Sequence, residues 1–187
     1  VQVRLPVLDF WSFEKIGEIK MRFYGFGNYY LSSLQQGLQA GHAAVDLYVK
    51  YHLMQEQDSR QVLYADWAAN HKTMVLLNGG NSANLQDLFD FLNCEENPYP
   101  FVKFHEDEVS LNGALTYVGM ILPPKIYDTA ARLRAGRDHS HVADKSEIHI
   151  RDVKSGFDGW AQTDIIEDIS AWEFELMKRL NQYGLAK

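Results

Sequence analysis

The chain has a single cysteine, Cys94, among its 187 residues. One thiol cannot form a disulfide within the chain, and every metal site built from several cysteines is excluded as well. This composition fits a reducing compartment, and we expect a cytoplasmic protein. Long apolar runs are also missing, and the first residues lack the charged start, apolar middle and small-residue cleavage site of a signal peptide. The sequence therefore predicts no association with a membrane.

Basic residues are scarce relative to acidic ones. The 18 lysines and arginines are outnumbered by 25 aspartates and glutamates, and the net charge is −7. Broad, charge-driven binding of nucleic acid depends on neutralisation of phosphates by lysine and arginine, so this balance argues against it, although a local basic patch is compatible with it. Apolar residues make up 46% of the chain, which is enough to bury a proper core, and we expect one soluble domain.

From residue 21 to residue 136 the pattern alternates between strands and helices. Apolar and β-branched runs bounded by turn residues predict four strands, and apolar residues at helical spacing predict three helices. This order is typical of an α/β domain with helices on both faces of a mostly parallel sheet, in which ligands bind beyond the carboxyl ends of the strands. The predicted strands cover residues 20–26, 71–78, 101–105 and 115–122. The first predicted helix covers residues 32–51, the second is capped by Asn81 or Ser82, and the third follows Pro124.

Two flanking regions have less regular patterns. Residues 1–20 form an N-terminal extension, in which alternation up to Pro6 favours a short edge strand and the aromatic residues could cover a neighbouring surface; a leader that only fills a gap in the core is the alternative. Residues 137–168 are polar and rich in turn residues, which predicts a long excursion with one hairpin strand at residues 148–153. A capping box of Ser170 and Glu173 predicts a last helix that packs back on the same domain.

The helix predicted over residues 32–51 carries most of the functional signal. Ser32 and Gln35 form a capping box that fixes its start. Small residues at positions 37, 41 and 44 suggest close approach of the helix to the sheet, since glycine within a helix costs roughly 1 kcal/mol relative to alanine. Gln35, Gln39 and His42 follow one another along another face, which we expect to border the ligand site. The buried face of this helix is predicted to consist of its large apolar residues, which are Leu34, Leu38, Val45, Tyr48 and Val49.

Four segments of the chain resemble, in this order, the peptidyl-tRNA hydrolase 2 family. They are LQAGHAA at residues 38–44, HKTMVLLN after Trp67, NLQDLFDFL in the following helix and GALTYVGMILPPKIYDTAARL from residue 113. The helix glutamine and histidine of the family match Gln39 and His42, and the threonine of its late strand matches Thr116. The resemblance covers about residues 20–135, and the chain also resembles bacteriophage proteins of this fold.

The resemblance implies a three-layer α/β/α fold with a four-stranded mixed sheet, and hydrolysis of the ester that joins a peptide to tRNA. It also implies a lysine ahead of the helix glutamine, where this chain has Leu34 and Gln35. The aspartate that the family places before the late strand falls on Phe104 and His105 in this chain. The nearest carboxylates are those of residues 106–108, and a shift of the loop could bring one of them into place. We therefore expect altered catalytic residues.

Ester hydrolysis needs a group that activates water and groups that stabilise the oxyanion. His42 is the predicted base, because imidazole exchanges protons near neutral pH, and Asp107 is the predicted carboxylate that orients it. Gln35, Gln39 and Thr116 complete the predicted catalytic set as hydrogen-bond partners. The alternative for each is structural: a histidine satisfied by its neighbours, helix glutamines in solvent and an ordinary β-branched strand residue.

A second set of polar and aromatic residues is predicted to bind the substrate. Aromatic rings stack on bases and a lysine can clamp a nucleotide, although aromatic residues beside a first strand are more often core. The histidines at positions 139, 141 and 149 could ligate zinc only with an added carboxylate, and a solvated loop explains them as well. We expect no metal and no cofactor. The predicted substrate-binding residues are Asn28, Tyr29, Ser33, Lys72 and Asn112.

Two functional classes are compatible with these residues. One is a peptidyl-tRNA hydrolase-like enzyme that acts on a tRNA-linked ester. The other is a non-catalytic protein of the same fold that binds a nucleotide, RNA or a protein partner, which the missing lysine and the acidic net charge favour. A homodimer is compatible with either class.

Overall fold

The computed structural model describes residues 20–53, 59–135, 141–143, 147–152, 162–166 and 169–186. The N-terminal extension up to residue 19, with its predicted edge strand, and much of the predicted excursion lie outside the described residues.

A four-stranded mixed sheet forms the middle layer. Its strands are β1 (Arg22–Asn28), β2 (Thr73–Gly80), β3 (Phe101–His105) and β4 (Leu115–Leu122), in the spatial order β2-β1-β4-β3. β1 pairs with β2 in parallel, whereas β4 runs antiparallel to both β1 and β3. The prediction of a mostly parallel sheet is wrong, because a parallel pair needs a long crossover and the β3–β4 connection is too short for one. The mixed four-stranded sheet is confirmed.

Helices cover both faces of this sheet. One face carries α1 (Ser33–Tyr48), continued by a π-helical turn (Val49–Leu53), and α2 (Arg60–Asp66), continued by a second π-helical turn (Trp67–His71). The remaining helices are α3 (Ser82–Leu92), the single turn α4 (Glu108–Leu111) between β3 and β4, α5 (Pro124–Ala135) and α6 (Ala171–Leu180). Of these, α3, α5 and α6 pack on the opposite face of the sheet. The α/β/α architecture is therefore confirmed.

The last helix docks on the domain as predicted. The capping box of Ser170 and Glu173 is formed at the start of α6. The buried Tyr99 hydroxyl donates a hydrogen bond to the carboxylate of Glu173, which ties α6 to the segment ahead of β3. Burial raises the pKa of Tyr99, so this phenol stays a donor. Leu176 and Leu180 of α6 belong to the same core as α3 and α5.

Two glycines meet in the centre of the sheet, beneath α1. Gly25 on β1 pairs with Gly119 on β4. A Cβ added at Gly25 would lie 2.2 Å from the Tyr117 hydroxyl, and one added at Gly119 would lie 2.5 Å from the Phe23 ring. Both rings are fully buried. The bare backbone lets the two rings lie close to the sheet, and Ala43 of α1 packs in the same core.

The buried face of α1 is the opposite of the predicted one. Leu34 is 75% exposed and Val45 is 59% exposed, so the large apolar residues face away from the sheet. The rings of Phe23 and Tyr117 fill the space beneath the helix, and they share one core with Ala40, Ala43 and Leu47 of α1. The residues of α1 that are buried are Gln36, Gln39, Ala40, Ala43 and Leu47.

The small residues of α1 also have a different role from the predicted one. Among the described residues, no atom outside the local helix backbone lies within 4 Å of a Cβ added at Gly37 or Gly41, so these glycines do not serve close approach to the sheet. Close contact is made by Ala40 and Ala43 instead, which are almost fully buried.

The C-terminal part of the chain adds a second sheet and a tail. The second sheet is antiparallel, with β6 between its neighbours, and it consists of β5 (His141–Ala143), β6 (Glu147–Asp152) and β7 (Gln162–Ile166). The predicted strand at residues 148–153 is confirmed up to Asp152. After α6 the tail runs along β2, where Leu185 bridges to Leu77 and the Gly184 carbonyl accepts a hydrogen bond from the Asn78 amide at 2.9 Å.

We expect Gly25→Ala to destabilise the domain by about 1–3 kcal/mol, because the new methyl group overpacks a site that the rigid Tyr117 ring already fills. Gly184→Ala is the matched control. In the part of the chain that the structure describes, no atom beyond its chain neighbours lies within 4 Å of a Cβ added at Gly184, so the free energy of unfolding of this variant should stay within about 0.5 kcal/mol of wild type. Urea unfolding followed by circular dichroism measures both, and equal stabilities of the two variants would contradict the close packing of Tyr117 on Gly25.

Candidate polar site at the carboxyl edge of the sheet

The carboxyl ends of three strands lie at one edge of the sheet. β1 and β2 are parallel, and β3 runs in the direction of β1 because both are antiparallel to β4. β4 therefore begins at this same edge. The first half of α1 crosses it, which brings α1 side chains next to residues that follow β3 and start β4. A polar cluster occupies this position, as the sequence predicts for an α/β sheet.

Gln39 is the centre of the cluster. Its side chain is only 5% exposed, although it lies on a surface helix. The amide nitrogen donates a hydrogen bond to the Glu106 carboxylate, and the amide oxygen accepts one from the Thr116 hydroxyl at 3.2 Å. Thr116 is itself buried on β4. The amide of Gln39 is thus held at both ends, which fixes the position of the Glu106 carboxylate beside α1.

Glu106 follows β3 directly, just beyond an irregularity in the pairing of β3 with β4. The pairing of β3 with β4 shifts register between Phe104 and His105. Such a bulge bends a strand and redirects the side chains that follow it. The backbone beyond the shift is held by two hydrogen bonds, from the Glu106 amide to the Ala114 carbonyl at 3.0 Å and between His105 Nδ1 and the Gly113 carbonyl at 3.0 Å. Glu106 is left half-buried, with its carboxylate toward the helix.

His42 lies one turn beyond Gln39 and is exposed. Its imidazole packs against the Phe104 ring, with 4.7 Å between the ring centroids. Asp46 follows one turn later on α1. Partial burial raises the pKa of Asp46, and the nearby His42 imidazole acts in the opposite direction by favouring the charged carboxylate. His42 is therefore a solvent-accessible base beside a buried hydrogen-bond network.

A second buried network supports the start of α1. The Asn28 amide donates hydrogen bonds to the Ser82 hydroxyl at 3.1 Å and to the Leu115 carbonyl at 3.5 Å. The Gln36 amide nitrogen donates to the Asn28 carbonyl at 2.8 Å. These bonds join the end of β1, the N-termini of α1 and α3 and the start of β4. Asn28, predicted to contact substrate, is 6% exposed and holds these elements together.

Among the predicted catalytic residues, the structure brings Gln39 and Thr116 into contact, with His42 one helical turn away. Asp107 is elsewhere: it is the N-cap of α4, and its carboxylate accepts a hydrogen bond from the Ser110 amide at 2.6 Å. Gln35 folds back on the helix start, where its amide oxygen accepts from the Ser32 amide at 2.9 Å. Both side chains are occupied by local caps.

The remaining predicted substrate-binding residues are spread over the surface. Tyr29 and Ser33 are exposed near the start of α1, and the Tyr29 ring lies against Tyr30 with 4.0 Å between centroids. Asn112 ends α4 with a positive φ of 54°. Lys72 also has a positive φ and immediately precedes β2, at the opposite edge of the sheet from the polar cluster. The structure therefore does not bring Lys72 to the site.

Sequence reasoning did not single out Glu106 and Gln36 as site residues. Glu106 was one of three consecutive acids, and their positions in the chain do not reveal which of them faces the helix. Gln36 could have been found, since it lies three positions before Gln39 on the same helical face. The Oε1 atom of Gln36 is buried without a hydrogen-bond partner within the described part of the chain.

An open cavity of about 550 Å³ lies outside the polar cluster, beside α3 and α6. It contains none of the predicted site residues. Within the described ranges, no group of three or more histidine, cysteine, aspartate or glutamate side chains is arranged to hold a metal ion. None of the helices in those ranges is both long enough and apolar enough to span a membrane.

Comparison of the chain with models of known protein families gives no match, and comparison with curated proteins gives no significant match.

We expect Asp107 to stabilise the fold in a pH-dependent way. The Ser110 amide holds the pKa of Asp107 below its ordinary value. Because the folded-state pKa is the lower one, the stabilisation is fully present above the unfolded-state pKa, about 3.9, and is lost as pH falls through the folded-state value. Urea unfolding should therefore show a gap in stability between wild type and Asp107→Ala at pH 7 that shrinks toward about pH 3.

Asp107→Asn is the control for this prediction, since asparagine caps a helix without titrating. The gap between Asp107→Asn and Asp107→Ala should be the same at both pH values. A wild-type advantage that does not change with pH would contradict a capping carboxylate.

Proposed function

We propose that the polar cluster hydrolyses an ester of the peptidyl-tRNA type, with catalytic residues that differ from the family pattern. The observation that carries this proposal is the hydrogen-bonded line from Glu106 through Gln39 to Thr116, one helical turn from the exposed His42. It joins a carboxylate, a positioned amide and an accessible base at the edge of the sheet where α/β proteins bind ligands. The resemblance to peptidyl-tRNA hydrolase 2 supports the choice of substrate class.

In this proposal His42 takes a proton from the attacking water, whose oxygen forms a bond to the acyl carbon. The oxyanion that results is stabilised by the second hydrogen of the Gln39 amide nitrogen, since the first is donated to Glu106. The ester bond then breaks, and the leaving hydroxyl oxygen of the ribose takes the proton from His42. Glu106 acts on Gln39 and is a positioning residue.

The acidic character of this edge limits how much of a nucleic acid it can hold. Glu106, Asp107 and Glu108 follow one another beside the cluster, and like charges repel phosphate. The ester end of the substrate would therefore be recognised, with few contacts to the phosphates beyond it.

The test is release of acyl-amino acid from a peptidyl-tRNA analogue. We expect wild-type release above background and a decrease of at least about 100-fold in His42→Ala, which is the low end of the contribution of a general base. Glu106→Gln should also slow release, because Gln39 loses its charged partner. Asp107→Asn is the matched control for Glu106→Gln, and its rate should equal the wild-type rate.

Wild-type release no faster than background would overturn the enzyme proposal. Wild-type activity that neither His42→Ala nor Glu106→Gln reduces would instead place the chemistry at another site.

Binding without turnover is the second candidate function. The Gln39 amide favours this second function. Its nitrogen and its oxygen both have hydrogen-bond partners within the fold, which is what a purely structural network requires. In this case the protein would bind a nucleotide, RNA or a protein partner through the same edge.

For this second function we expect retention of tRNA or of a nucleotide at moderate salt, without release of an acyl group. Filter binding with labelled tRNA, and isothermal titration calorimetry with a nucleoside monophosphate, measure this directly. Binding in neither assay would overturn the nucleotide and RNA readings and leave only a protein partner or a structural role.

A further inference from the structure

We propose that Asp46 orients His42 for the reaction, which is the role predicted from the sequence for Asp107. Asp46 acts through the imidazole and does not contact the substrate, so it is a positioning residue. This inference rests on the function proposed for the polar cluster, and it supplies the carboxylate partner that Asp107, as the cap of α4, does not provide.

His42 and Asp46 lie one helical turn apart on α1. Side chains four positions apart on a helix are neighbours, with about 5–6 Å between their Cβ atoms. His42 is exposed and Asp46 is half-buried. Partial burial raises the pKa of Asp46 and the His42 imidazole acts against that rise, so these two described side chains interact through their charges, without a hydrogen bond. Rotation of the exposed imidazole converts this arrangement into a hydrogen-bonded pair.

The nearest lysine along the chain has another partner. Asp46 is the only aspartate, glutamate, lysine or arginine among residues 33–48. Lys50 follows one turn later, at a spacing that suits an ion pair on a helix. Its ammonium instead donates a hydrogen bond to the Phe101 carbonyl at 3.0 Å and lies over the Phe101 ring. This leaves the Asp46 carboxylate to His42.

Two of the carboxylates that follow β3 are already hydrogen-bonded. That of Glu106 accepts a hydrogen bond from the Gln39 amide, and that of Asp107 accepts one from the Ser110 amide. Turning either of them toward His42 would disturb a bond that the fold uses. Asp46 can turn toward the imidazole on its own helix without such a loss.

Phe104 also holds His42, from β3. Its ring packs against the imidazole with 4.7 Å between the ring centroids. This contact limits the tilt of the imidazole but does not choose which of its two nitrogens carries the hydrogen. A carboxylate that accepts a hydrogen bond from one nitrogen fixes the tautomer and leaves the lone pair of the other nitrogen available.

The pair divides the work of proton transfer. One ring nitrogen of His42 donates its hydrogen bond to Asp46, and the other takes the proton of the attacking water as the water oxygen bonds to the acyl carbon. The imidazole then carries a positive charge until it passes this proton to the leaving ribose oxygen. Asp46 stabilises that charge and stays ionised throughout.

The first test is release of acyl-amino acid from the peptidyl-tRNA analogue by Asp46→Asn. Loss of the orienting carboxylate should lower kcat at least about tenfold and leave KM unchanged, since no contact with the substrate is removed. Asp46→Glu keeps the carboxylate and should recover most of the lost rate. Asp107→Asn is the matched control and should keep the wild-type rate, and circular dichroism checks that each variant is folded.

The second test does not depend on turnover. Long-range ¹H–¹⁵N NMR spectra of the full chain at about pH 8, above the range in which an ordinary imidazole titrates, distinguish the two tautomers of a histidine. The His42 signals are assigned by their loss in His42→Ala. We expect one dominant tautomer in wild type and in Asp107→Asn, and shifted ring nitrogen signals in Asp46→Asn.

Two outcomes would overturn the role of Asp46 and leave the proposed function intact. They are an Asp46→Asn rate equal to an active wild type, and ring nitrogen signals of His42 that Asp46→Asn does not change. Absence of wild-type release would overturn the proposed function and the role of Asp46 with it.

Discussion

The contact of two aromatic rings with two glycines is the constraint on which the arrangement of α1 depends. Tyr117 lies over Gly25 and Phe23 lies over Gly119, at the centre of the sheet. Because Gly25 and Gly119 carry no side chains, the two rings lie close to the sheet beneath the helix. The small side chains of Ala40 and Ala43 then close the core together with Leu47. The helix lies near enough to the sheet for glutamine side chains to reach the strands' ends.

The close approach of α1 to the sheet also explains why this surface helix carries buried side-chain amides. Gln36 and Gln39 continue the line of the alanines toward the start of the helix, where the sheet ends and polar backbone and side-chain groups become available. A buried amide is tolerated only where its hydrogen bonds are made. Gln36 finds the Asn28 carbonyl, and Gln39 finds Glu106 and Thr116. The polar cluster is therefore the direct continuation of the core under α1.

Much of the fold could be predicted from local sequence signals. The capping boxes at Ser32 and Ser170 fix the starts of two helices, and the strand boundaries follow from apolar runs ended by turn residues. Strand direction could also have been found, since the predicted strands at residues 101–105 and 115–122 leave a connection too short for a parallel crossover. The buried face of α1 could not be found from periodicity alone. Two rows of α1 residues have the same helical spacing, and the shape of the sheet beneath the helix determines which row is buried.

The candidate site shows the same limit. Gln39, His42 and Thr116 could be proposed from their positions in the chain, because helix and strand place them at one edge. The carboxylate could not, since Asp107 and Glu106 are neighbours and their positions in the chain do not reveal which of them faces the helix. Asp107 instead satisfies the Ser110 amide, a role that depends on where a one-turn helix begins.

Arg134 has a consequence for the long region between α5 and α6. Its guanidinium donates hydrogen bonds to the carbonyls of Leu180, Asn181 and Tyr183, at the end of α6. Arg134 thereby links the end of α5 to the end of α6, which follows much later in the sequence. These hydrogen bonds hold α5 and α6 together without help from the polypeptide between the two helices, and the entropy of closing a loop grows only slowly with its length. Homologous chains could lengthen, shorten or exchange this insertion without altering the framework that carries α1 and its amides.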